Sequence, residues 1–362
     1  MARMSTPRID RFDVRAVLLP MREPHRTASG VITESPLVLT DVVLDDGTVG
    51  RSMVFTYTPA ALRPTAELVR NLEALVKGDP LAPADTEQKL ARRFRLLGPQ
   101  GLVGMALAAV DMALWDAQAR LLGVSLARLL GGTPKPVPAY GAVGYDGEAE
   151  SARVAEGWAK RGFTGVKAKI GYPTVAEDVA VIRAMREAVG PEVAIMVDYN
   201  QSLTPAEAVQ RMRALDGEGL TWVEEPTLAN DFAGHAQVAR AAATPIQAGE
   251  NWWGALELQH ALDAHASDYV MPDVMKIGGV TGWLRATAIA ATRGVRISNH
   301  LWPEVSAQLL AVTPNAHWLE YVDWWNGALR EPLTIRAGMA AATDAAGSGV
   351  EWDEAAIAPF VR

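Results

Sequence analysis

Apolar side chains between residues 12 and 57 fall in short blocks, and Phe12–Leu19 and Pro36–Leu44 read as β segments joined by the polar stretch "PMREPHRTASGVITES". "DDGTVG" at 45–50 then predicts a tight turn into a third strand over Arg51–Tyr57, giving an antiparallel meander. From Pro59 to Leu130 the apolar spacing changes to three and four, as in "TAELVRNLEALVKG" and "GLVGMALAAVDMALWDAQARLLG", which predicts helices. A meander followed by helices reads as a separate α+β domain over residues 1–130.

"LLGGTPKPVPAYGAVG" (129–144) is rich in proline and glycine and marks a domain junction. Beyond it, strand-like runs alternate with amphipathic segments. The strand-like runs are "GVKAKIG", "VAIMVDYN", "LTWVEEP", "PIQAGEN", "DYVMPDVMKIGG", "RISNH" and "AHWLEYV"; the helical ones include "VAEDVAVIRAMREAVG" and "PAEAVQRMRALDGEG". This grammar predicts parallel βα units, hence an α/β catalytic domain over 131–325. "REPLTIRAGM" reads as a strand outside that rhythm, and residues 326–362 are expected to fold back onto the first domain.

Six polar residues keep phase with the units: Asp198, Glu224, Glu250, Asp273, His300 and Glu320 follow one another at intervals of 20–27 residues. Each interval is one unit of a (β/α)8 barrel of about 250 residues, and each residue lies near the carboxyl end of its strand, where such barrels place catalytic groups.

Composition narrows the chemistry. The 362 residues are 49% hydrophobic and 21% charged, with a net charge of −8, which argues for a folded chain and against nucleic acid or an anionic membrane as partner. No cysteine is present, so carboxylates and six histidines are the candidate ligands. The amino terminus has no apolar core of signal-peptide length, and no run reaches about 18 uninterrupted apolar residues, so a cytoplasmic location is expected.

Three carboxylates on successive strand ends repel one another unless they share a hard cation, and Mg²⁺ suits Asp198, Glu224 and Glu250. Lys167 and Lys169 lie on one face of the preceding strand. An isolated pair of this kind is ordinary on a solvated edge; here one ammonium is expected to lower the pKa of the other and prepare a general base. His300 has a partner in Asp273, which would fix its tautomer and raise its basicity. Glu320, if protonated, can donate to a developing enolate oxygen. A lysine, a histidine and a metal together describe proton exchange at a carbon next to a carboxylate. Two other classes remain open: a Schiff-base lyase using Lys169 as nucleophile, and a non-catalytic protein that keeps the fold.

"KAKIGYP", "IMVDYNQSL", "WVEEPTL", "GENWWG", "MPDVMKIGGVTGW", "SNHLW" and "AHWLE", in this order, closely resemble the mandelate racemase subgroup of the enolase superfamily, and the likeness spans nearly the whole chain. It implies a modified (β/α)7β TIM barrel with an N-terminal α+β capping domain whose loop closes the site, and a homo-oligomer, possibly an octamer. It implies Mg²⁺ on Asp198, Glu224 and Glu250, Lys169 as one base with Lys167 contacting the substrate carboxylate, and His300 with Asp273 as the other base. Glu320 would be the electrophilic acid and Asn200 a substrate contact. Further substrate contacts are expected at His25, Thr27, Ser29, Ile32, Tyr57, Ala142 and Val322. Ala142 stands where the subgroup's namesake has a serine. The implied reaction is racemisation of a mandelate-like 2-hydroxy acid; the alternative, which the polar cap loop favours, is acid-sugar dehydration.

Overall fold

The computed structural model of the chain describes residues 6–27 and 30–362. Three antiparallel strands come first: β1 (Ile9–Thr27), β2 (Gly30–Leu44) and β3 (Val49–Phe55). The first two run on through the stretch expected to be a loop. After a register shift between Pro20 and His25 the ladder resumes, with His25 opposite Ile32 and Arg26 opposite Val31. Pro20 and Pro24 break the alternation that would have announced these strands, but the paired arms satisfy each other's backbone groups all the same.

Helices α1 (Pro59–Val76), α2 (Pro83–Arg93) and α3 (Gly101–Leu121) complete the cap. The backbone of α3 presses against β3 at Gly50, where a Cβ would lie 2.0 Å from the Ala113 carbonyl oxygen. By length and hydropathy α3 could cross a membrane, but 72% of its apolar window is buried inside the fold, and Asp111 on it accepts from the Thr281 amide at 3.0 Å. It is the core helix of the cap.

A short helix, α4 (Leu126–Leu129), leads into the barrel. The first units are β4 (Pro136–Val143), α5 (Gly147–Lys160), β5 (Gly165–Lys169), α6 (Val175–Val189), β6 (Ala194–Asp198) and α7 (Pro205–Leu215). Then come β7 (Val223–Glu224), α8 (Phe232–Ala241), β8 (Ile246–Ala248), α9 (Gly254–Asp263), β9 (Tyr269–Val270), α10 (Gly279–Thr292), β10 (Arg296–Ile297), α11 (Pro303–Ala311) and β11 (Leu319–Tyr321). Capping boxes at Thr174/Glu177 and Thr204/Glu207 fix where α6 and α7 begin, and so the lengths of the loops that carry the site. "DYVMPDVMKIGG" is strand only at its start; from Asp273 it turns toward α10.

Strands β4 to β10 pair in parallel in chain order, and β11 returns to pair with β4. An isolated bridge, Ile297 to Ala316, links β10 to the segment that leads into β11. Eight strands and seven helices make a (β/α)7β barrel rather than the (β/α)8 barrel that spacing alone predicts. No eighth barrel helix follows β11, because Gly327 and Pro332 interrupt a segment that has no helical apolar spacing. The chain instead forms a hairpin, β12 (Ile335–Arg336) and β13 (Met339–Ala341), with β13 antiparallel to β4.

The tail then reaches the cap. Ser348 Oγ donates to Asp116 at 2.7 Å, Trp352 Nε1 to Asp41 at 2.7 Å, and the Arg362 amide to the Ala16 carbonyl at 2.8 Å.

Candidate active site

Parallel register brings the phased residues to one end of the barrel. Lys169 is level with Asp198, and Asp198 with Glu224. Glu250 follows β8 after Gly249, whose φ of +139° turns the chain at the strand end. A parallel bridge sets Asp273 beside His300, and Glu320 lies on β11. Asp198, Glu224 and Glu250 are all buried, and each offers a carboxylate oxygen within 4.8 Å of the others.

The two lysines hold one end of this cluster. Lys169 Nζ donates to Asp198 Oδ2 at 2.6 Å; Lys167 is buried between Glu224, in very close contact, and Glu320 Oε1 at 2.8 Å. At the other end His300 Nδ1 lies 2.8 Å from Asp273 Oδ2, and His300 Nε2 lies 3.3 Å from Glu250 Oε2. Since a carboxylate only accepts, Nδ1 carries a proton, and Nε2 is the ring atom that faces Glu250. Lys276 Nζ donates to Asn251 Oδ1 at 2.8 Å.

Several supporting residues carry no signal of their own in the sequence. Trp222 Nε1 and Gln247 Nε2 donate to Glu224 Oε2 at 3.1 and 3.3 Å, and Asn251 Nδ2 donates to Glu250 at 3.1 Å and to Glu225 at 2.9 Å. Asn251 directly follows Glu250 in "GENWWG", so adjacency to a phased carboxylate is its only mark in the sequence. Asn200, expected to touch substrate, turns back in a left-handed conformation (φ +44°) and donates to Asp198 Oδ2 at 3.0 Å.

Two electrostatic expectations are reversed. Burial and Lys167 both lower the Lys169 pKa as expected, but Asp198, Glu250 and Glu224 outweigh them and the net shift is upward. Burial favours the neutral acid of Glu320, but Lys167, His300 and the Leu301 amide hold it below the usual carboxylate range. Burial also opposes charge on Glu250, yet His300 and three lysines pull its pKa to about 2. Burial and the other carboxylates push Glu224 up against the pull of Lys167.

All-oxygen donors, three buried carboxylates within reach of one point, and a buried Glu250 Oε2 with no hydrogen bond among the described residues fit a hard divalent cation. Mg²⁺ is the cofactor this donor set fits.

The cap closes over this end with aromatic rings. Ring centroids of His25 and Trp324 lie 4.7 Å apart, Phe55 and Trp324 5.7 Å, and Phe55 and Tyr57 5.0 Å. Ala142 and Val322 stand on the neighbouring strand ends, Val322 buried; Ile32 is half-buried opposite His25. Thr27 ends β1, while its side chain and Ser29 lie outside the described residues. The Tyr57 hydroxyl is committed to Asp273 Oδ2 at 3.0 Å.

Burial, with Lys169 and Lys167, lowers the His25 pKa to about 3, against the pull of Glu320. This folded value lies below the ordinary one near 6.5. Its contribution to folding is thus complete above about pH 6.5 and is lost as pH falls toward 3. NMR of the His25 ring should show no titration between pH 8 and 4.5; a midpoint near 6.5 would contradict its burial.

Residues 11–131 match the model for the mandelate racemase / muconate lactonizing enzyme N-terminal domain, and residues 150–356 match the enolase C-terminal domain-like model. A Bradyrhizobium enolase solved with magnesium and mandelic acid is 43% identical, with 99% of each chain covered and a TM-score of 0.95. An L-talarate dehydratase from Polaromonas sp. JS666, solved with Mg and L-glucarate, is 28% identical over 98% of each chain, with a TM-score of 0.91. Among curated proteins, L-talarate/galactarate dehydratase of Salmonella typhimurium is 30% identical over 96% of this chain and 90% of its own.

Proposed function

The chain belongs to the mandelate racemase / muconate lactonizing enzyme family of the enolase superfamily, whose chemistry is Mg²⁺-dependent abstraction of a proton, and from that premise we propose that it racemises an aryl-bearing 2-hydroxy acid. The observation that carries this reading is the placement of two bases at opposite ends of one carboxylate cluster: Lys169 on Asp198, His300 beside Glu250. A planar intermediate held over the cluster meets one base on each face.

When bound there, Mg²⁺ offsets the carboxylate charge that otherwise holds Lys169 as an ammonium and the charge that develops on the substrate carboxylate. In one direction Lys169 Nζ, as the neutral amine, takes the α-proton on its face while the imidazolium form of His300 gives one from Nε2 on the other; in reverse the neutral Nδ1–H tautomer of His300 takes the proton at Nε2 while the Lys169 ammonium gives one. Asp273 holds the His300 ring in that tautomer. Lys167, locked between Glu224 and Glu320, offers a fixed positive charge for the substrate carboxylate. The rings of His25 and Trp324, with Phe55 packed behind Trp324, suit an aryl group. Because burial keeps His25 neutral and its ring packs at a tilt against Trp324, it adds aromatic surface rather than charge.

Acid-sugar dehydration is the second reading. A cavity of about 460 Å³ beside the end of β1 is lined by Arg22, Glu23, His25, Arg26, Ala142 and Trp324, and its polar members would suit the distal hydroxyls of a polyhydroxy acid whose reacting end sits at the carboxylate cluster. In that case His300 would protonate a departing β-hydroxyl. Incubation with each enantiomer of mandelate, followed by polarimetry, should show loss of optical rotation. Formation of a 2-keto acid from a sugar-acid panel, with no change in mandelate rotation, would assign the dehydratase instead.

A further inference from the structure

We infer that Tyr57 of the capping domain is the positioning residue for His300, so that one of the two proton-transfer faces is assembled across the domain boundary. This rests on the two-base reading above. The Tyr57 hydroxyl donates to Asp273 Oδ2 at 3.0 Å, and His300 Nδ1 reaches the same oxygen at 2.8 Å. The other carboxylate oxygen, Oδ1, takes the Met275 amide at 2.7 Å. Asp273 is fully buried, so these three donors fix the plane of its carboxylate and, through it, the direction of the imidazole. The Tyr57 and His300 rings are parallel to within 1°, with centroids 6.5 Å apart, a separation that leaves the shared oxygen as the link between them.

Tyr57 is itself held from both sides. Lys276 Nζ lies 4.4 Å from its ring centre, and Lys276 is tied to Asn251 beside Glu250. The Phe55 amide meets Met275 Sδ at 3.2 Å, which anchors the end of β3 onto the turn that carries Asp273. Tyr57 has φ +59°, a left-handed backbone that a bulky side chain adopts only when its surroundings dictate it. That strained backbone delivers the hydroxyl to Asp273. Lys169, by contrast, is held by Asp198, a residue of the barrel. The cap therefore acts selectively, on the histidine face.

The Tyr57→Phe variant keeps the ring and removes the hydroxyl. With Mg²⁺-loaded protein in D₂O and each mandelate enantiomer, the kcat for exchange on the His300 face should fall about 10–100-fold, while the Lys169 face changes less than about 2-fold and KM is unchanged on both. Equal loss on both faces, or a rise in KM alone, would show a structural or substrate-contact role and overturn the proposal. A second readout needs no substrate: the ¹H–¹⁵N signal of His300 Nδ1–H in full-length protein should shift in Tyr57→Phe, and an unmoved signal would overturn the proposal. If wild type exchanges no 2-hydroxy acid, the two-base reading fails, while the His300 signal still decides whether Tyr57 positions the ring.

Discussion

Stripping Mg²⁺ with EDTA, or replacing Glu224 by Gln, should lower α-proton exchange by about 10⁴-fold or more. The magnitude follows from the acidity of the substrate. Turnover near 10 s⁻¹ allows a barrier of about 16 kcal/mol, while every pK unit between carbon acid and base costs about 1.36 kcal/mol. A gap above roughly ten units would nearly use up that barrier, so the developing charge has to be offset at the site. Metal removal also leaves Asp198, Glu250 and Glu224 holding Lys169 as an ammonium, which deprives one face of its base. Exchange and calorimetric Mg²⁺ affinity should fall together in Glu224→Gln. Re-addition of Mg²⁺ should restore the EDTA-treated wild type. Undiminished exchange in metal-free protein would remove the mechanism.

Glu224 also shows how far the sequence could be read. Its phase with Asp198 and Glu250 is visible because one βα unit separates successive strand ends, and parallel register turns that phase into proximity. The same logic reached His300 and Asp273. It did not reach the sign of the Lys169 shift: sequence shows Lys167 two residues away on the same strand, but the carboxylates that outweigh it come from strands folded alongside. Glu320 is the same case, since Lys167 at 2.8 Å is a neighbour only in space.

Local pattern failed where backbone pairing alone sustains an element. The hairpin arms through His25 and Ile32 carry polar and proline residues that read as loop, but their hydrogen bonds go to each other. After β11 local pattern sufficed: "REPLTIRAGM" reads as a strand outside the βα rhythm, and β12 and the start of β13 form there, with β13 on β4. Tyr57 was expected at the substrate on resemblance alone. That its hydroxyl is taken by Asp273 is a tertiary fact, set by a left-handed residue at the end of β3.

The two bases give the other large effect. His300→Asn should abolish racemisation in both directions, a loss of about 10³-fold or more, because either direction needs one base to take a proton and the other to return one. Exchange should nevertheless survive for one enantiomer, since Lys169 and its contact with Asp198 do not depend on the imidazole. Asparagine keeps a polar group toward Asp273 and limits the cost of leaving that buried carboxylate unpaired. Lys169→Met should give the mirror pattern, with exchange retained only for the enantiomer facing His300. NMR in D₂O with each enantiomer reads both variants. Equal exchange of both enantiomers by His300→Asn would mean that one base serves both faces, and racemisation by two opposed bases would fall. Retained α-exchange together with loss of 2-keto product from a sugar acid would instead make His300 the acid for a leaving hydroxyl, because only that step needs its proton on the β-hydroxyl oxygen.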